Sequence, residues 1–260
     1  NLEWIHYGST GVNIEVLKLA KTKKIQITNT RRMFDNAVAS TVMSFIFTLA
    51  RGINYSFYLK SKKKLNRKFY NRITPHIKNV FNQKILFVGF GGIAKKISKI
   101  CKSMDMEIYG IKRKNEKFLS GIKFYRLKEI KKAVQNKDFV INLLPFTYNT
   151  KKIFNKEIFK NMGKNTFFIN VGRGETVEEK DLIEVLKNKK ILGAALDVVQ
   201  NEPIKKNSKF LKLNNLIITP HIGGITNDYW DKQYQLFSKN LKNFKTSKKL
   251  QNIVRSEIGY

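Results

Sequence analysis

The stretch Lys84 to Lys114, KILFVGFGGIAKKISKICKSMDMEIYGIKRK, restricts the fold more than any other part of the chain. It opens on a short apolar run, Ile85 to Val88. So brief a run is too short for a helix and, being apolar throughout, predicts a strand buried on both faces. Gly89, Gly91 and Ala94 then match the spacing G-x-G-x-x-G/A, with Gly92 and Ile93 between the last two. From Ile93, apolar residues recur at helical spacing (Ile97, Ile100, Met104) with lysines on the other side, and Glu107 to Ile111 predicts a second strand. Strand, glycine turn, helix and strand make a βαβ unit, and such a unit belongs to a parallel sheet.

That order has a chemical reading. Gly89 would allow the tight turn out of the strand, Gly91 has no Cβ to block a pyrophosphate, and a small third residue lets the helix pack on the strand. The phosphates of a dinucleotide would rest on free N–H groups at the helix start, around Gly92 and Ile93. Glycines at this spacing also occur in ordinary turns. The flanking strands and helix make dinucleotide binding the stronger reading.

Elsewhere, strands are predicted at Leu2 to His6, Ile25 to Ile27, Lys123 to Tyr125, Asp138 to Leu144, Thr166 to Val171, Ala194 to Val199 and Leu216 to Thr219. Helical patterns lie between them, near Asn13 to Ala20, Leu127 to Gln135, Lys156 to Met162 and Val177 to Asn188, with a closing helix from Asn227 to about Phe244. One long helix is expected from Asp35 to about Leu59, with Val38, Val42, Phe45, Ile46 and Leu49 on its apolar side. A basic arm follows, and Pro75 breaks it. In the closing helix, Trp230, Tyr234, Phe237 and Leu241 read as a packed face. Alternating strands and helices predict an α/β fold with a doubly wound parallel sheet.

Charge bears on partners. The chain carries 51 Lys+Arg against 19 Asp+Glu, a net +32, and a field of that sign attracts polyanions. The lysines are spread over the whole chain among many Asn, Ile and Phe, as an A/T-rich coding sequence would produce. The longest basic run lacks the aromatic and glycine interleaving of an RNA-recognition strand, so no specific nucleic acid is expected as a partner. The single cysteine, Cys101, excludes a disulfide within the chain and predicts a reducing compartment. His6, His76 and His221 lie far apart without cysteine partners, so no metal site is expected. The first residues lack the pattern of a signal peptide, and the most apolar window, Ala37 to Ala50, is too short to span a bilayer. A cytoplasmic protein that does not engage a membrane is the expectation.

In a parallel sheet, ligands bind beyond the carboxyl ends of the strands. Three polar residues stand there: Arg173 after FFINV, Glu202 shortly after Asp197-Val198-Val199, and His221 after Ile217-Ile218-Thr219-Pro220. Each alone suits a structural role; together they suggest a catalytic set.

At this point the chain resembles the D-isomer-specific 2-hydroxyacid dehydrogenases. The stretches that carry the resemblance are VGFGGIAKK, LLPFTYNT, FFINVGRGETVEEKDLIEVLKNKKILGAALDVVQNEP, ITPHIGGIT and the tail NIVRSEIGY, with WIHYGSTGVN and ITNTRRMFDNAVAS before the glycine turn. The resemblance implies a hydride transfer between a nicotinamide dinucleotide and a small 2-keto or 2-hydroxy acid, of the glyoxylate or hydroxypyruvate type. It gives Arg173 the substrate carboxylate and keto oxygen, a task suited to a planar fork that never loses its charge. It makes His221 the general acid in reduction and the base in oxidation, with Glu202 bonded to its ring and favouring the protonated form. It places Asp197 at the nicotinamide carboxamide, and Leu144, Pro145, Thr147, Val171 and Gly223 along the dinucleotide cleft. Backbone amides of Thr10, Gly11 and Val12 resemble a second anchor for the substrate carboxylate, although an ordinary tight loop would read the same.

The resemblance also implies an arrangement. Residues 1–34 and 226–260 would form a partial, flavodoxin-like substrate domain. Residues 35–225 would form a Rossmann dinucleotide-binding domain that includes the long helix 35–59 and the basic arm 60–83. The family usually begins earlier, with one or two further βα units, and favours a homodimer built around the long helix. Two departures stand out. Ser40 and Thr41 occupy positions where the family commonly has an acid and a histidine. After the second strand an NAD enzyme wants an acid for the ribose hydroxyls, and this chain has Ile111-Lys112-Arg113-Lys114 instead. Those cations predict NADP in preference to NAD, unless they are part of the general lysine excess. Phosphoglycerate oxidation, a dinucleotide-sensing binding protein and an inactive fragment remain alternatives.

Overall fold

The structure is a computed structural model that describes residues 2–112 and 121–254. The chain divides into two compact units, Asn1–Ala37 with Gly224–Tyr260, and Val38–Gly223.

The larger unit is built on seven parallel strands: β3 (Lys84–Val88), β4 (Glu107–Ile111), β5 (Ile122–Tyr125), β6 (Phe139–Asn142), β7 (Phe167–Asn170), β8 (Gly193–Leu196) and β9 (Leu216–Ile218). They lie in the order β5-β4-β3-β6-β7-β8-β9. The chain leaves β3 toward β4 on one side and returns to β6 on the other, so the order reverses beside β3 and opens a crevice at the strands' carboxyl ends. The central strands read ILFV, FVIN and FFIN because both faces are covered by helices, leaving no side for water. One cluster, with Phe87, Ile97, Phe139 and Ile169 buried, lies on one face. The other face is covered by a second, around Phe154, Phe159, Phe168 and Leu182.

The helices in chain order are α1 (Ile14–Lys23), α2 (Asp35–Ala50), α3 (Ile53–Ser61), α4 (Arg67–Tyr70), α5 (Gly92–Lys102), α6 (Ile130–Ala133), α7 (Lys156–Asn161), α8 (Glu179–Lys187) and α9 (Tyr229–Lys245). One expectation needs correction here. The helix foreseen as continuous over 35–59 is two helices, α2 and α3, set at 70° to one another. Gly52 makes the break: its φ is +64°, and a Cβ there would come within 2.7 Å of Ile73 Cδ1. Glycine enters that backbone region without the cost other residues meet. No single helix among the described residues is long and apolar enough to cross a membrane.

In the smaller unit a two-stranded parallel sheet, β1 (Trp4–Tyr7) and β2 (Gln26–Asn29), is joined by α1. A second correction falls on α9. The residues foreseen as its packed stripe are in part open, with Trp230 78% and Tyr234 72% exposed. Its buried positions are Gln233 and Asn240. Gln233 Nε2 donates to Gly8 O (2.6 Å), while Asn240 accepts from Gln251 N (2.7 Å) and donates to Gln251 O (3.2 Å). Buried amides are tolerated because these backbone groups need partners. Phe237 and Phe244 share that face and stack on Trp4.

His6 in β1 makes this unit sensitive to pH. Trp4 Nε1 donates to Thr28 Oγ1 (2.9 Å), and the same hydroxyl is hydrogen-bonded to His6 Nδ1 (2.8 Å). The other ring nitrogen, Nε2, is buried and has no hydrogen-bond partner among the described residues. Burial holds the His6 pKa below its ordinary 6.5. The unfolded chain therefore takes the proton first, and stability that is complete above the ordinary value is lost as pH falls below it. The thermal midpoint reported by tryptophan fluorescence is expected to fall between about pH 7 and about pH 5, and His6→Phe to flatten that dependence.

Candidate active site

The carboxyl ends of β6 and β7 carry a buried polar network that sequence reading missed. Asn142 Nδ2 donates to Asn170 Oδ1 (2.9 Å) and to Thr176 Oγ1 (2.7 Å). Asn142 Oδ1 accepts from Leu144 N (3.1 Å), and Asn170 Oδ1 from Gly172 N (3.1 Å). Thr176 Oγ1 donates to Arg173 O (2.6 Å), which Asn170 Nδ2 also approaches (3.3 Å). The two asparagines thus hold the loops that begin at Leu144 and Gly172 in one relation, and a satisfied buried network is rigid. Asparagine ending an otherwise apolar strand, in FVIN and again in FFIN, was the available signal.

Arg173 leaves this network on extended backbone (φ −144°, ψ 142°), partly exposed, with Nη1 donating to Gly172 O (2.7 Å). The next residue, Gly174, lies against the loop after β8: a Cβ there would stand 2.0 Å from Val199 C. That contact brings the Arg173 loop and the Glu202 loop together. Glu179 Oε1 accepts from Gln200 N (2.7 Å), and Gln200 Nε2 donates to Val177 O, which fixes the second loop to α8. Burial raises the Glu179 pKa above its ordinary value.

His221 has φ +55°. An L-residue rarely takes this conformation, and the surroundings must impose it. Buried Asp197 does so. Its Oδ1 accepts from Thr219 Oγ1 (2.6 Å) and Ile222 N (3.0 Å), and its Oδ2 from Gly223 N (2.9 Å). Gly223 must lack a side chain, because a Cβ would meet Asp197 Oδ2 at 2.6 Å. His221 Nδ1 lies 2.7 Å from Glu202 Oε2, and Glu202 Oε1 accepts from Val199 N (3.1 Å). A carboxylate only accepts, so Nδ1 carries the hydrogen of this bond. Arg173, Glu202 and His221 line one cavity of about 210 Å³ with Gly174, Glu175, Val198, Val199 and Gln200. All three catalytic candidates therefore share a site.

The glycine turn fits a dinucleotide. Gly89 has φ +99° and lies against the backbone at Leu143, where a Cβ would be 3.1 Å away. Among the described residues, a Cβ on Gly91 would meet nothing within 4 Å. Among the described residues no side chain caps the start of α5 at Gly91, and Gly92 and Ile93 open that helix. Uncapped amides at a helix start suit a phosphate. Pro145 and Thr147 lie on the loop after β6, where Thr150 Oγ1 donates to Pro145 O (2.7 Å) and accepts from Thr147 N (2.8 Å). The Leu144 side chain is buried in the core, so at that position only backbone can face the cleft. Val171 packs partly against the core as well. Lys112 follows β4, whereas Arg113 and Lys114 lie outside the described residues. Thr10, Gly11 and Val12 belong to the smaller unit, where Asn29 Nδ2 donates to Thr10 O and Ser9 Oγ to Gly11 O, each at 2.7 Å.

A glycine turn at the reversal of a parallel sheet and an acid–histidine pair beside an arginine define a nicotinamide-dependent oxidoreductase. Comparison with known proteins agrees. Residues 43–223 match the pattern of the D-isomer specific 2-hydroxyacid dehydrogenase, NAD binding domain. The glyoxylate reductase of Pyrococcus furiosus is 32% identical over 257 residues, covering 95% of this chain and 73% of that protein. That of Thermococcus kodakarensis is 28% identical over 254 residues, 95% of this chain and 74% of the other. Among solved structures, an NADPH-dependent glyoxylate/hydroxypyruvate reductase from Sinorhizobium meliloti in complex with NADP and sulfate superposes with a TM-score of 0.83. The match covers 100% of this chain and 80% of that one, at 23% identity, a likeness of fold. The chain belongs to the D-isomer specific 2-hydroxyacid dehydrogenase family.

Proposed function

We propose that the protein reduces a small 2-keto acid, of the glyoxylate or hydroxypyruvate type, with NADPH in preference to NADH. The observation that carries the chemistry is the His221–Glu202 pair at 2.7 Å in a cavity shared with Arg173. When bound, the reduced dinucleotide supplies the hydride that the keto carbon receives, which no side chain can provide. Arg173 pairs with the substrate carboxylate and draws charge toward the keto oxygen. His221 delivers a proton from Nε2 to that oxygen as negative charge develops, and Glu202 supports the imidazolium while keeping the ring in place. Asp197 acts on the nicotinamide carboxamide, and the smaller unit offers the amides of Thr10, Gly11 and Val12 as donors to a carboxylate. The preference for NADPH rests on Lys112, with Arg113 and Lys114 after it, where an NAD enzyme has an acid.

The working unit in this reading is a cytoplasmic homodimer built on α2, α3 and the arm beyond them. Phe47, Ile53, Phe57 and Leu65 are exposed along that segment, with Phe57 66% open, and an apolar patch of this kind suits a second copy.

The deciding assay measures oxidation of NADPH and NADH against a panel of 2-keto acids. No turnover with any of them sinks the enzyme reading, and equal use of NADH sinks the cofactor preference. Arg173→Lys keeps the charge and loses the fork, so kcat/KM for the keto acid is expected to fall about a hundredfold while dinucleotide KM is unchanged.

A further inference from the structure

The ring of Phe124 in β5 sits at the meeting point of two parts of the cofactor crevice. Its edge-to-face partner is Phe90, in the middle of the glycine turn, with centroids 4.9 Å apart and planes at 88°. Phe90 in turn meets Phe87 of β3 edge-on at 5.9 Å. On the Phe124 face lies the Lys112 ammonium, 3.9 Å from the centroid. Backbone register supports the arrangement: Gly110 pairs with Phe124, and Lys112 N donates to Tyr125 O (3.3 Å).

Gly110 explains how two phenylalanines can lie there. A Cβ on it would come within 2.6 Å of Phe124 and 2.7 Å of Phe90, so a bare backbone in β4 is what admits both rings. Hence the turn that would hold the pyrophosphate and the lysine that would meet the ribose are tied through one aromatic ring.

We infer that Phe124 is a positioning residue for cofactor choice, holding the Lys112 ammonium where the 2′-phosphate of NADP would lie. The inference rests on the NADPH preference proposed above and goes beyond it by naming what makes Lys112 effective. A lysine stem has many rotamers, and ordering it on a phosphate costs entropy. An aromatic face orders the ammonium beforehand through the ring quadrupole.

The test measures binding of 2′,5′-ADP and 5′-AMP to the whole chain by calorimetry, without turnover. Wild-type protein is expected to bind 2′,5′-ADP more tightly. Phe124→Leu is expected to lower the ratio of 2′,5′-ADP to 5′-AMP affinity about fivefold, equivalent to about 1 kcal/mol. Phe124→Tyr, which keeps the ring face, should retain the preference. In a Lys112→Met background, Phe124→Leu should have no further effect on the ratio, because its target is gone. The ratio is read within one sample, so partial loss of folded protein leaves it intact, and Phe124→Met serves where leucine packs poorly. A wild-type preference that survives both Phe124→Leu and Phe124→Met overturns the inference, as does full additivity with Lys112→Met. No wild-type preference for 2′,5′-ADP overturns the NADPH reading itself and this inference with it.

Discussion

Replacing His221 by asparagine is expected to lower kcat for keto-acid reduction about a thousandfold, the range that loss of a positioned general acid produces. Asparagine is the informative substitution because it tolerates the left-handed backbone that His221 adopts at φ +55°. The turn held by Asp197 should therefore survive, and the loss is assigned to proton transfer. Dinucleotide affinity should be unchanged, since the substitution leaves the glycine turn and the β6 loop untouched. Glu202→Gln separates the partner's role: the ring keeps a neighbour but loses the negative charge across from Nδ1, so the pH profile of kcat should move while substrate KM changes little. Near-normal turnover by the His221→Asn protein would remove His221 from the mechanism.

The second large effect is expected from Gly174→Ala. A Cβ there would stand 2.0 Å from Val199 C, 2.1 Å from Val199 O and 2.5 Å from Gln200 N, all of them backbone atoms. No side chain can swing aside, so the loop carrying Glu202 must be displaced from the loop carrying Arg173. Overpacking of this kind costs about 3 kcal/mol, and in a chain of this size each kcal/mol moves the thermal midpoint by roughly 2–4 °C. Catalysis should suffer beyond the stability loss, because the Val199–Glu202 bond at 3.1 Å is on the displaced segment. Activity measured well below the new midpoint distinguishes the two effects. Unchanged melting together with unchanged kcat/KM would contradict the proposed packing.

The candidate site was legible to different depths. Arg173, Glu202 and His221 could be found because each follows an apolar strand, and strands of one parallel sheet end on one side. Asp197 was foreseen as a ligand of the cofactor, and the structure adds a structural task, three accepted hydrogen bonds that hold the His221 turn. Asn142, Asn170 and Thr176 went unread. They are 28 and 34 positions apart in their bonded pairs, and a spacing of that length has no periodic signature.

The βαβ unit at Lys84 to Lys114, the alternation of strands and helices and the position of the glycine turn followed from residue order alone. They depend on local matters: apolar periodicity, the room a glycine leaves, and the burial of both faces of a parallel strand. Tertiary structure decided what depends on distant neighbours. Ile73 and the left-handed Gly52 accompany the break between α2 and α3, which helical periodicity had carried straight through. Gly8 and Gln251 supply the backbone partners that let α9 bury Gln233 and Asn240 while Trp230 and Tyr234 stay exposed. Phe124 reaches both Phe90 and Lys112 only because β4 and β5 are in register at Gly110. A sequence records which groups a chain has, and the pairing of strands determines which of them touch.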